Sequence, residues 1–111
     1  MVRAVALFVL GALASAGAVA QSVDGNEDIG FAFVDANCSR CHAVGLTGDS
    51  PVAAAPPFRD LGRFYPVDAL AEALAEGIVT GHADMPEFVL EPEEIANVIA
   101  YLKSIQAPTG G

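Results

Sequence analysis

Two thiols and an imidazole stand together in Cys38-Ser39-Arg40-Cys41-His42. C-x-x-C-H is the spacing of c-type haem attachment. On one helical turn, each of two cysteines three positions apart can form a thioether to one haem vinyl group. The adjacent imidazole then reaches the iron from one face. The other face needs a second ligand, and candidates are few. Met85 is the only methionine besides the initiator, 43 residues after His42. Its thioether is a soft ligand, and a His/Met pair raises the reduction potential. His82, three residues before Met85, is the competing donor and would give a lower potential. Both cysteines of the chain lie in the motif. The same pair in an exported protein could form a disulfide or a thiol-redox centre. His42 directly after Cys41 argues against that, and so does the lack of strand patterns for a βαβ unit.

These residues need elements to position them, and the pattern predicts helices. Asp28 is placed to cap a first helix over Ile29 to Asn37, with Ile29, Ala32, Phe33 and Ala36 recurring at helical spacing. The motif closes that helix. Ala43 to Pro57 reads as a loop, rich in Gly and Pro. Phe58 to Tyr65 has room for one helical turn. A middle helix is expected over Pro66 to Glu76, started by proline and stopped by Gly77. Ile78 to Leu90 is a loop holding His82, Met85 and Pro86. The last helix runs Pro92 to Ile105, with Glu93 and Glu94 at its start, Lys103 near its end, and a stripe of Ile95, Val98, Ile99, Leu102 and Ile105. Ala107 to Gly111 is a loose tail. The fold expected is all-α, with three to four helices and long loops.

Residues 1–20 read as a signal peptide. Arg3 is the basic n-region, Ala4 to Ala20 is uncharged and mostly apolar, and Ala18-Val19-Ala20 is an A-x-A-like cleavage site. Ala16 is a second cleavage point. The expected destination is the periplasm, and residues 21–111 form one small domain. Without the leader, 4 basic side chains face 14 acidic ones, a formal charge of −10. That argues against nucleic acid and favours redox partners with basic docking surfaces. A domain of this size struggles to bury enough apolar surface, and a covalent haem would complete its core.

The whole of residues 21–111 resembles a small class I cytochrome c. The parts and their order carry the likeness: a helix ending in Cys38-Ser39-Arg40-Cys41-His42, a proline loop, a middle helix, a methionine loop containing Met85-Pro86, and a final helix. The resemblance implies a fold wrapped around one covalent haem c, with His42 and Met85 as axial ligands. It also implies that His42 Nδ1 bonds a proline carbonyl, Pro56 matching best and Pro57 next. In such proteins a glycine and an aromatic of the first helix cross an aliphatic and an aromatic of the last. Gly30, Val98 and Tyr101 fit, whereas the first-helix aromatic position holds Val34, leaving Phe31 or Phe33 to supply the ring. Arg59, Arg63 and Tyr65 are candidate propionate donors, and Arg40 is expected at the surface. The function implied is one-electron transfer and not catalysis, by a monomer serving periplasmic or membrane-bound oxidoreductases. The alternatives are a haem-bearing subunit of a larger dehydrogenase complex and a ligand-binding haem sensor with a labile Met85.

Overall fold

A helix needs its first N–H groups satisfied, and here Asn26 does it. Its side-chain oxygen accepts from Ile29 N–H at 3.0 Å, opening helix α1, Glu27–Asn37. Glu27 and Asp28 then lie in the first turn, where the helix dipole favours negative charge. Asp28 is therefore inside the helix and is not its cap. The cap falls at Asn26 because only an acceptor three residues before Ile29 reaches that N–H. The structure is a computed structural model that describes residues 4–6, 8–9, 11–12, 24–77 and 84–107. Among these, all regular structure is helical and no strand occurs. None of the described helices is long and apolar enough to cross a membrane.

After the loop that follows the cysteine motif, Phe58–Arg63 forms a 3₁₀ helix. The middle helix is shorter than its sequence pattern implies. Val67–Ala69 is a 3₁₀ turn, and regular helix α2 covers only Leu70–Glu76. Pro66 stays extended outside it, and Ala69 N–H donates to Pro66 O at 3.0 Å, so the first turn closes on the tighter i→i+3 pattern. Gly77, at φ +101°, ends α2 in a conformation that an L side chain rarely adopts. Helix α3, Pro92–Ile105, has proline in its first turn, Glu93 and Glu94 beside it, and Lys103 in the last turn.

The core sits where α3 meets everything else. The expected stripe of α3 is buried, and Asn97 and Tyr101 are buried with it. On α1 the buried face differs from the one its apolar spacing suggests. Gly30 and Val34 are buried, and of the expected stripe only Phe33 packs against the core, half-buried, whereas Ile29 is 55% exposed and Ala32 and Ala36 are exposed. The reason is the approach of the two helices: a Cβ added at Gly30 would overlap the Asn97 carbonyl. Small residues face α3 because there is no room for large ones. Asn97 Oδ1 accepts from Asn26 N–H at 2.8 Å, which ties the start of α1 to the middle of α3. The aromatic contact of this crossing is Phe31 with Tyr101, ring centroids 5.3 Å apart and tilted by 56°. Gly30→Ala should therefore lower unfolding stability by about 1–3 kcal/mol, the usual range for overpacking. Urea denaturation checks it; an unchanged midpoint would show that the helices can part without cost.

Candidate functional site

The cysteine motif is a continuation of α1. Cys38 N–H donates to Val34 O at 2.8 Å, and the next turn closes through Cys41 N–H and His42 N–H, both donating to Cys38 O at 3.1 and 2.9 Å. The chain thus coils once more past the helix end and carries both thiols and the imidazole on one turn. Cys38, Cys41 and His42 are all half-buried, and the two cysteines are free thiols. Burial, followed by the neighbouring Cys41, pushes the Cys38 thiol up to about 11.

His42 is held from both its edge and its face. Its Nδ1 lies 2.7 Å from Pro56 O. A carbonyl oxygen only accepts, so Nδ1 carries a proton, and in the neutral ring the lone pair is then on Nε2. The acceptor is Pro56, not Pro57. The ring of Phe58 packs against the imidazole, centroids 4.8 Å apart. The loop between is folded back by Phe58 N–H to Ala43 O at 2.9 Å and Val52 N–H to Cys41 O at 3.1 Å. Ser50 Oγ accepts from Ala43 N–H at 2.9 Å. Residues 41–58 thus form one closed unit that brings Cys41, His42, Pro56 and Phe58 together.

Helix α3 fastens this unit from behind. The Tyr101 hydroxyl donates to Val44 O, two residues past His42. Its acidity is weakened by burial and then by the charge of Asp35, so the phenol keeps its proton. Gln106, just past the end of α3, uses both ends of its amide. Its Nε2 donates to Phe58 O at 2.7 Å and to Leu102 O at 2.9 Å, and its Oε1 accepts from Gly62 N–H at 2.8 Å. Sequence reasoning did not find Gln106, Ser50 or Asn97. Asn97 had a signal, a polar residue inside an apolar stripe. Gln106 and Ser50 had none, since their partners are backbone groups brought close only by folding.

Met85 comes from a separate segment. It is half-buried, between exposed Asp84 and exposed Pro86 and Glu87. That segment is tied to α2, through Leu90 N–H donating to Leu74 O at 2.8 Å. The Glu87 side chain packs over Gly77, where a Cβ would overlap its carboxylate. His82 lies outside the described residues. The three candidate propionate donors separate by environment. Arg63 is mostly exposed and 3.8 Å from Asp60, and Tyr65 is 43% exposed. Arg59 has a buried Nη1 with no hydrogen-bond partner. Arg40 is exposed.

This donor set fits a haem better than a bare ion. Among the described residues no group of three or more His, Cys, Asp or Glu could hold a metal. One imidazole held through its Nδ1 and two free thiols suit a macrocycle that brings its own four nitrogens and is anchored covalently. The unpartnered guanidinium N–H suits a cofactor that carries carboxylates.

Comparison with curated proteins and with solved structures finds no match. A family model does match: that of cytochrome C oxidase, cbb3-type, subunit III, over residues 25–102. The matched span covers more than two thirds of the chain and holds α1, the cysteine motif, the Pro56 loop and Met85. With a helical fold and a C-x-x-C-H turn closed on Pro56, the chain belongs to this family and is a small c-type cytochrome, built for haem-based electron transfer.

Proposed function

We propose that the chain is a one-electron carrier with one haem c, joined to Cys38 and Cys41 and ligated by His42 and Met85. The observation that carries the reading is the Nδ1 bond from His42 to Pro56 O, which fixes the ring and, in the neutral imidazole, assigns the lone pair to Nε2. When bound, the haem supplies an iron that alternates between Fe(III) and Fe(II). The residues do the rest. The Pro56 carbonyl raises the basicity of His42 and prevents the ring from turning. Phe58 packs against one side of the imidazole and limits its movement. The thioether of Met85 favours the reduced metal and raises the potential. Held by both His42 and Met85, the iron would have no position left for a substrate, which supports a carrier and not an enzyme.

Residues 1–20 act as a signal peptide in this reading, leaving residues 21–111 as the working domain in the periplasm. The charge of −10 on that domain supports basic docking surfaces on the redox partners, including membrane-bound oxidoreductases. Exposed Glu27 and Asp28 on α1, Glu72 and Glu76 on α2, and Glu93 and Glu94 on α3 spread the field over the surface. A monomer suits brief encounters of this kind. A second reading, a haem-bearing subunit of a larger redox complex, is favoured by the family's description as an oxidase subunit. Co-purification from the native membrane separates the two: a stable complex supports the subunit, and a free soluble form supports the carrier.

The oxidised protein should show a low-spin spectrum with a methionine-to-iron charge-transfer band, and Met85→Ala should abolish that band. If the wild type lacks it, Met85 is not the ligand and His82 is tested next. Electron transfer to a cationic partner should slow by roughly tenfold or more as ionic strength rises from about 10 to 200 mM. Stopped-flow rates that ignore salt would remove the charge-steered docking.

A further inference from the structure

The basic side chains among the described residues are Arg40, Arg59, Arg63 and Lys103. Three of them have an ordinary setting. Arg40 is exposed, Arg63 lies 3.8 Å from Asp60, and Lys103 lies 3.4 Å from Asp68. Arg59 is different: its Nη1 is buried and donates to nothing. A buried amine or carboxyl can neutralise itself by a shifted pKa, but a guanidinium keeps its charge at any ordinary pH. A buried guanidinium N–H without an acceptor is costly, because its hydration is lost and nothing replaces it. The neighbouring carboxylate is already engaged, since Asp60 faces Arg63.

The place of this donor gives it meaning. Arg59 directly follows Phe58, whose ring packs on His42, and comes three residues after Pro56, which accepts from His42. Gln106 clamps the same 3₁₀ helix at Phe58 O and Gly62 N–H, on both sides of Arg59. The segment that orients the imidazole therefore also fixes the position of one cation. A haem carries two propionate carboxylates, and a planar guanidinium fork is the side chain best suited to a carboxylate. We propose that Arg59 is a haem-binding residue whose Nη1 donates to a propionate, while Arg63 and Tyr65 take no part. The inference rests on haem attachment at Cys38 and Cys41. Its consequence is electrostatic: the guanidinium holds that propionate ionised, and its positive charge favours the reduced iron.

The test is the midpoint potential of the haem-loaded protein against pH, for wild type, Arg59→Gln, Arg59→Lys and Arg63→Gln. Wild type, Arg59→Lys and Arg63→Gln should give a nearly flat profile. Arg59→Gln should have a lower potential that falls further with rising pH over about pH 5 to 8, where a partly buried carboxyl titrates. A flat profile in Arg59→Gln overturns the assignment, and so does a wild type as steep as that variant. If Arg59→Gln does not accumulate with haem, resonance Raman of the wild type decides. A propionate bending band that stays fixed across the same pH range supports the contact, and one that moves with pH overturns it. A wild-type mass without covalent haem removes the attachment and this inference together. A flat Arg59→Gln profile on loaded protein removes the inference alone.

Discussion

The backbone-to-backbone approach of α1 and α3 at Gly30 is the constraint on which the other features rest. Only a residue without Cβ lets the helices come this close, and the closeness sets which residues each can bury. Val34 is sealed against α3, and the turn that follows it carries Cys38, Cys41 and His42. From the same platform, Tyr101 reaches Val44 and Gln106 reaches Phe58 and Gly62. The motif therefore stands on one helix while the loop that completes it hangs from the other. A change in their spacing would move thiols and imidazole relative to Pro56.

The loop from Ala43 to Pro57 has no regular structure of its own, so its backbone polar groups must find partners elsewhere. It finds them inward. Ser50, Cys41 and the His42 ring each take or give one bond across the loop, and Ala43 makes two. Fixing so many residues costs conformational entropy that a small core is poorly placed to offset. A covalently anchored macrocycle packed against such a loop would supply the missing apolar contacts. A cofactor bound there would thus offset part of the cost of ordering an irregular chain.

Much of this was legible in the sequence because it rests on local rules. Proline and glycine mark the ends of α3 and α2, and the period of α3 names its buried stripe. The C-x-x-C-H spacing identifies its chemistry without any fold. What could not be read depends on residues far apart in the chain. The apolar spacing of Ile29, Ala32, Phe33 and Ala36 pointed to one face of α1, but packing buried Gly30 and Val34 and kept only Phe33 of that stripe against the core. Close approach won over hydrophobicity; the resemblance had marked Gly30 for the crossing, but the apolar period alone gave no sign of it. The cap moved from Asp28 to Asn26 because either residue suits the role by type and only geometry decides. Likewise, Arg59 and Arg63 look equivalent on paper, and the i,i+3 meeting of Asp60 with Arg63 is what separates them.

The bond from Asn26 to Asn97 joins residues 71 positions apart, so α1 gains its main support from a helix made last. An isolated helix of 11 residues is marginal in water. As the chain emerges from its N-terminus onward, α1 remains open until α3 has followed it. Until then Cys38 and Cys41 lie at the end of a helix that has nothing to pack on. The attachment turn is thus held by the far end of the chain, and losing α3 would undo α1 with it.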